Sequence, residues 1–153
     1  MNDERQKQAN ELVKKYWQEA GYEVEDVSEN EAYFSKGIDL IRTLIGKDPL
    51  TIDVKCDFQT DMTGNIAFEL IEIAPENKNI KLGWAYGEGA NEIHYVVWNA
   101  RVAFLLPIKE LRRLVFSNVF RGYASHHDKP FPYYTLGVLI PISHLGQFQR
   151  IQL

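Results

Sequence analysis

A single cysteine, Cys56, is all the thiol chemistry this chain has. It forbids an internal disulfide and excludes a cysteine-rich zinc site. Its place on the apolar side of a predicted strand marks it as a small buried hydrophobe rather than a nucleophile. A reducing, cytoplasmic setting is expected. Long apolar runs are missing too: none approaches the roughly 20 residues that span a bilayer. The opening MNDERQKQAN is polar, so no signal peptide is expected. Excess positive charge is also absent. Lys and Arg number 17 against 21 Asp and Glu, a net charge of −4. That argues against a protein that coats nucleic acid without sequence preference. It leaves room for a local basic groove, or for metal ions that do part of the neutralising. No repeat, low-complexity segment or interdomain linker interrupts the 153 residues, so a single domain over 1–153 is expected. The hydrophobic share of 45% and charged share of 25% are those of an ordinary globular protein.

Residues 3–20 read as an amphipathic helix, with Ala9, Leu12, Val13, Tyr16, Trp17 and Ala20 on one stripe. Gly21 is its expected stop, and Glu11 falls nearly opposite the stripe. An extended piece at Tyr22–Val24 and acidic turns at 25–31 follow. Strands are expected around Tyr33–Phe34, Ile38–Leu44, Leu50–Phe58 and Ile66–Ile73, forming an antiparallel meander. Turns at Gly46–Pro49 and Asp61–Asn65 separate them. Residues 75–80 read as a surface loop. The glycine-rich 83–89 lacks a following Lys-Ser/Thr and is no phosphate loop. Two short strands, Ile93–Trp98 and Val102–Leu106, flank a tight connection at Asn99–Arg101. Pro107 opens a helix running to about Phe120, with Ile108, Leu111, Leu114, Val115 and Val119 as its core stripe. Residues 122–134 read as a loop rich in His, Pro and Tyr, 136–140 as the last strand, and 142–153 as a tail.

The chemistry concentrates in Gly37–Asp57. Asp39 closes one apolar run, and Asp53 and Lys55 lie two apart in the next. In a strand, residues i and i+2 share a face, so this carboxylate and this ammonium point one way while Ile52, Val54 and Cys56 point the other. Carboxylates converging from neighbouring strands suit Mg²⁺ (or Mn²⁺), hard cations that take oxygen ligands. The Val54 carbonyl could supply a further oxygen. Such a metal polarises a scissile phosphate and activates a bound water. Lys55 would neutralise developing charge. Gln59 shares the face if the strand runs on, and could contact phosphate or water. Glu69 stands among apolar same-face neighbours (Ala67, Ile71, Ile73) and calls for a cation or a metal.

The pattern Asp39…Asp53-Val54-Lys55, after a helix and before further strands, resembles the PD-(D/E)xK nuclease superfamily. That group includes restriction endonucleases, DNA-repair nucleases and archaeal Holliday-junction resolvases. The first part, roughly residues 9–59, looks most like the resolvases: Gly21-Tyr22-Glu23-Val24 after the helix, then Gly37-Ile38-Asp39-Leu40, then the acid-x-Lys strand. The resemblance implies an α/β fold with a restriction-endonuclease-like α-β-β-β-α-β core. A central mixed β-sheet would be flanked by the N-terminal helix and a second helix near 107–121. It also implies Mg²⁺-dependent cleavage of DNA, with Asp39 and Asp53 as metal ligands and Lys55 as the catalytic lysine. Ile38 stands where the motif has Pro. The acid that resolvases carry on the first helix is replaced here by Ala9 or Asn10, leaving Glu69 as a substitute ligand. Basic residues for a duplex-binding face are sparse. With no second domain to recognise a target, specificity would come from loops, a homodimer or another protein.

Plainer roles fit the same residues. Asp53 and Lys55 also suit a solvated strand face with a weak charge pair, Asp39 a strand-closing acid, and Glu69 a salt bridge. His126, His127 and Asp128 suit a polar loop, and Lys109, Arg112 and Arg113 a wet helix face. Trp84 and Tyr86 either pack or stack on bases. Against nuclease activity stand two rivals. One is a binding module of the same fold with a degraded site. The other is an unrelated α+β protein, such as an immunity or scaffold protein.

Overall fold

The computed structural model describes residues 2–75, 79–86, 89–128 and 132–153. The chain opens with α1 (Asn2–Glu19). Ala9, Val13 and Trp17 are buried on it, while Glu11 is exposed and pairs with Lys14. Gly21, at φ 90°, ends the helix. The Tyr22 N–H bonds the Trp17 carbonyl and the Gly21 N–H bonds that of Gln18, the paired Schellman closure. Ala20 falls beyond the helix and is exposed, so it leaves the expected stripe.

Next come β1 (Glu23–Asp26), a single helical turn α2 (Glu31–Phe34), β2 (Leu40–Thr43) and β3 (Leu50–Cys56). Tyr33–Phe34 is therefore helical, not a strand. The Asn30 side chain accepts from the Ala32 N–H and starts that turn. After β3 the expected strand and turn are replaced by α3 (Phe58–Thr63). Asp57 caps it by accepting from the Gln59 N–H, and Gly64 closes it at φ 68°. Two N- and C-terminal stop signals overrule the β propensity of Phe58.

The remaining elements are β4 (Asn65–Ala74), β5 (Asn79–Leu82), a 3₁₀ turn at Trp84–Tyr86, β6 (Glu92–Val97) and β7 (Val102–Pro107). Then follow α4 (Ile108–Phe116), β8 (Arg121–His127), β9 (Tyr133–Pro141), a second 3₁₀ turn at Ile142–Leu145 and β10 (Gln149–Gln152). Several expectations are corrected here. Residues 79–82 are a strand instead of loop, and 76–78 lie outside the described residues, as do Gly87 and Glu88 of the glycine-rich stretch. The second helix stops at Phe116, which leaves Val119 fully exposed. The His- and Tyr-rich stretch forms the β8–β9 pair, apart from residues 129–131, which are not described. The tail supplies β10.

Two sheets result. The six-stranded one runs β1-β2-β3-β6-β7-β10. Its β1-β2-β3 part is an antiparallel meander, and β6 lies parallel to β3. The four-stranded one runs β5-β4-β9-β8, all antiparallel. So β4 does not continue the meander. It leaves for the second sheet, and the other neighbour of β3 is the parallel strand β6 instead. The fold is α/β with a mixed central sheet. α1 packs on one face of that sheet, where Leu40, Ile52, Val54, Val96 and Leu105 meet Ala9, Val13 and Trp17. On the other face Ile93, Tyr95 and Leu106 meet Phe68 and Ile140 of the second sheet and Leu111 and Val115 of α4. Among the described residues, no helix is long and apolar enough to cross a membrane.

Candidate functional site

β2 and β3 pair only as far as Leu40 and Ile52. The Asp39 N–H adds one more bond, to the Ile52 carbonyl at 2.9 Å. Beyond it the chain turns away through Gly37, at φ 64°. The edge of β3 from Val54 onward is thus left without a backbone partner on that side. Side chains fill the gap. The Val54 N–H donates to Asp39 Oδ2 at 2.8 Å. Gln6, from α1, donates to the Val54 carbonyl at 2.6 Å and accepts from the Cys56 N–H at 3.2 Å. Its primary amide acts as a surrogate peptide that extends the ladder by one rung.

On the opposite face of β3, Asp53 keeps 4% of its side chain open to solvent and Lys55 keeps 32%. Their charged atoms lie 3.0 Å apart. Asp39 and Asp53 are close enough for each to shift the other's pKa. Burial raises the Asp53 pKa from 3.8 to about 7, Lys55 opposes the rise, and Asp39 adds to it. Burial likewise raises Asp39, against the Val54 N–H and Lys55. For Lys55, burial disfavours the charge, but Asp53, with Asp39 and Glu69 behind it, more than offsets that and holds the ammonium protonated. The site therefore sets two acids, each harder to ionise than a free carboxyl, beside one ammonium.

Each of the three side chains lines a different depression. Asp53 lines one of about 530 Å³ with Gly37 and Trp84. Asp39 lines another of about 650 Å³ with Gln6 and Asn10. Lys55 lines a third, of about 620 Å³, with Gln59, Glu69 and Glu72. Asp39, Asp53 and Lys55 are thus brought together. Gln59 is not on the strand face expected of it. It is exposed in the first turn of α3, at the mouth of the Lys55 cleft. The Val54 carbonyl is engaged by Gln6. Glu69 faces Lys55 and is raised by burial, which the Lys55 charge opposes. Among the described residues, no three of His, Cys, Asp and Glu converge on one metal position, so Glu69 does not join the Asp39–Asp53 pair.

Donor chemistry nonetheless fits Mg²⁺. That ion is commonly held by one or two carboxylates, with waters and substrate phosphates completing its shell. Two neighbouring carboxylates are the kind of donor pair such an ion takes.

Sequence reasoning did not single out Gln6. Its signal is the missing partner of Val54 and Cys56, which only the register of β2 against β3 reveals. Asn10, 5% exposed and accepting from Gln6 at 3.0 Å, belongs to the same support. His94 sits on the α1 face, fully buried, 3.0 Å from Glu92 and accepting from the Trp17 indole at 3.5 Å. Burial lowers its pKa against the pull of Glu92, so it is a satisfied neutral core histidine. Compared with known proteins, the chain matches no family model, no curated protein and no solved structure.

Proposed function

We propose that this protein is a Mg²⁺- or Mn²⁺-dependent nuclease that hydrolyses phosphodiester bonds in DNA with a PD-(D/E)xK-type site in a restriction-endonuclease-like core. The observation that carries the reading is the convergence of Asp39, Asp53 and Lys55 where β2 parts from β3. The order of elements supports it: a helix, a three-stranded meander, and then a strand parallel to the third. The crossover before that parallel strand departs from the pattern. It holds the short α3 and two strands of the other sheet instead of one long helix.

In this reading Asp39 and Asp53, once ionised, would hold the ion. When bound, the metal polarises the phosphate and lowers the pKa of a water. Asp39 is fixed by the Val54 N–H, so its second oxygen is free to turn toward Asp53 and the ion. Lys55, held protonated and a third exposed, stabilises charge on the attacked phosphate. Glu69 orients Lys55 from the far side, and Gln59 meets the substrate at the cleft mouth.

A second reading, a binding module with an inactive site, is favoured by one observation. The Val54 carbonyl, which would complete the metal's shell, already accepts a hydrogen bond from Gln6. Incubation of plasmid, single-stranded and branched DNA with the protein and Mg²⁺ or Mn²⁺ separates the two. Cleavage lost in Asp53→Ala and Lys55→Ala is expected. Cleavage that survives either substitution would sink the assignment.

A further inference from the structure

The second sheet carries a patch that metal binding does not use. On β8, alternate residues Tyr123, Ser125 and His127 are half-buried while Gly122, Ala124 and His126 are exposed. Their partners across the ladder on β9 are Gly137, Thr135 and Tyr133. On the other side of β9, Gly137 and Thr135 pair with Glu69 and Glu72 of β4. Simple alternation would send Glu69 and Glu72 to opposite faces. A bulge between Glu69 and Ile71 inserts Leu70 and resets the register, so both acids face the same cleft.

Two glycines shape the floor. A Cβ on Gly137 would strike the Phe68 carbonyl and sit 2.7 Å from the Tyr123 ring. A Cβ on Gly83 would sit 2.6 Å from the Glu69 carbonyl and 2.8 Å from its Cγ. Bare backbone at both positions lets Tyr123 and Glu69 lie side by side. Four residues along β8 from Tyr123, the His127 and Tyr133 rings stack on each other across the ladder, centroids 4.4 Å apart and 11° from parallel. Thr135 Oγ1, 3.1 Å from His127 Nε2, fixes that pair.

The resulting cleft of about 620 Å³ runs up to Lys55, within the range of about 300–1,000 Å³ for small-ligand sites. Lys55 is the one Lys or Arg among the described residues that line it. Asp57 lines it too, Glu72 pairs with Lys81 at 3.7 Å and Lys55 with Asp53 at 3.0 Å, so a phosphate meets a cation at the Lys55 end and carboxylates elsewhere. A flat neutral ring suits the rest. Carboxylates accept hydrogen bonds from exocyclic amino groups, as they do from cytosine N4, and find no such donor on thymine. Stacked aromatic walls are how proteins hold a base taken out of its stack.

We propose that this cleft holds one unstacked, amino-bearing nucleobase, cytosine before thymine, so that DNA enters as a single strand with a phosphate at Lys55 and its base against Tyr133 and His127. The polymer's identity rests on the nuclease reading; the pocket's chemistry does not.

The test is fluorescence anisotropy with the full chain in EDTA at pH 8, using labelled oligo-dC, oligo-dT of the same length and a blunt hairpin duplex. Oligo-dC is expected to bind at least about tenfold tighter than the other two, the scale of one base–aromatic stack or base-edge contact. Tyr133→Ala should weaken oligo-dC about tenfold. The near-isosteric pair Glu69→Gln and Glu72→Gln should bring oligo-dC and oligo-dT together, because an amide both donates and accepts. Equal wild-type affinities for dC and dT, a duplex bound as tightly as dC, or a preference untouched by the glutamine variants would each overturn the proposal. Plasmid cleavage with Mg²⁺ that persists while no oligonucleotide binds overturns the base pocket alone. A dC preference without any cleavage keeps the pocket and overturns the nuclease.

Discussion

The two faces of β3 differ in almost everything except sequence position. Ile52 and Val54 are fully buried against α1, and the buried His94 on that face is hydrogen-bonded on both sides. The other face carries Asp53 and Lys55, an acid almost wholly buried beside a second acid and one ammonium. The first face is mostly apolar packing and contributes stability, although Arg42 Nη1, over the Trp17 ring, is buried there without a hydrogen-bond partner among the described residues. The second holds an acid near neutrality in pKa, which costs stability at the pH where a metal could be bound. Such spending of stability in one place is the physical mark of a site built for a ligand rather than for the fold.

The largest expected effect separates the faces by function. Lys55→Ala or Asp53→Ala should lower Mg²⁺-dependent cleavage by about 10²–10³-fold or more, the scale of losing one preorganised charge, with little change in melting temperature. Ile52→Ala should do the reverse. It is expected to cost about 2–5 kcal/mol in denaturant unfolding while the folded fraction keeps its turnover. A matched loss of both properties in both variants would erase the distinction.

A smaller effect sharpens the contrast through pH. The folded-state pKa of Asp53 is raised from 3.8 to about 7. Its stabilising proton is therefore fully present below about pH 4 and is lost as the pH rises through 7. Asp53→Asn should raise the melting temperature at pH 8 and leave it little changed at pH 4. For His94 the sign is opposite, since its pKa is lowered by burial. Its contribution is present above its ordinary 6.5 and fades as the pH falls through its lower folded value. The smallest effect concerns the support between the faces. Gln6→Ala leaves the Val54 carbonyl and the Cys56 N–H unpaired and should cost about 1–2 kcal/mol. It should also strengthen Mn²⁺ binding, by releasing the Val54 oxygen.

Much of the first face was legible in the sequence. The period of Ala9, Val13 and Trp17 and the alternation of Ile52 and Val54 report burial directly, and Gly21 marked the helix end; Cys56, expected to be buried with them, is only half-buried. Asp39, Asp53 and Lys55 were legible because a strand's period of two forces 53 and 55 to one side. What failed did so where a local signal was overruled by a distant one. Tyr33–Phe34 and Phe58 look like strand residues but follow capping Asn30 and Asp57. The β8–β9 pair looks like a loop because its half-buried face is polar, turned to a cleft and not to the core. The face shared by Glu69 and Glu72 depends on a bulge that no periodicity announces. Gln6 acts as a strand rung, and nothing on a helix marks an amide for that use.

The most direct test is titration of the protein with Mn²⁺ by isothermal calorimetry, in buffers that reveal proton release. The carboxylate pair predicts one bound ion and release of about one proton near pH 6. It also predicts an affinity that weakens about tenfold per pH unit below 7, and loss of binding in Asp53→Asn. No binding at millimolar Mn²⁺, or binding that Asp53→Asn leaves unchanged, would contradict a metal held between Asp39 and Asp53.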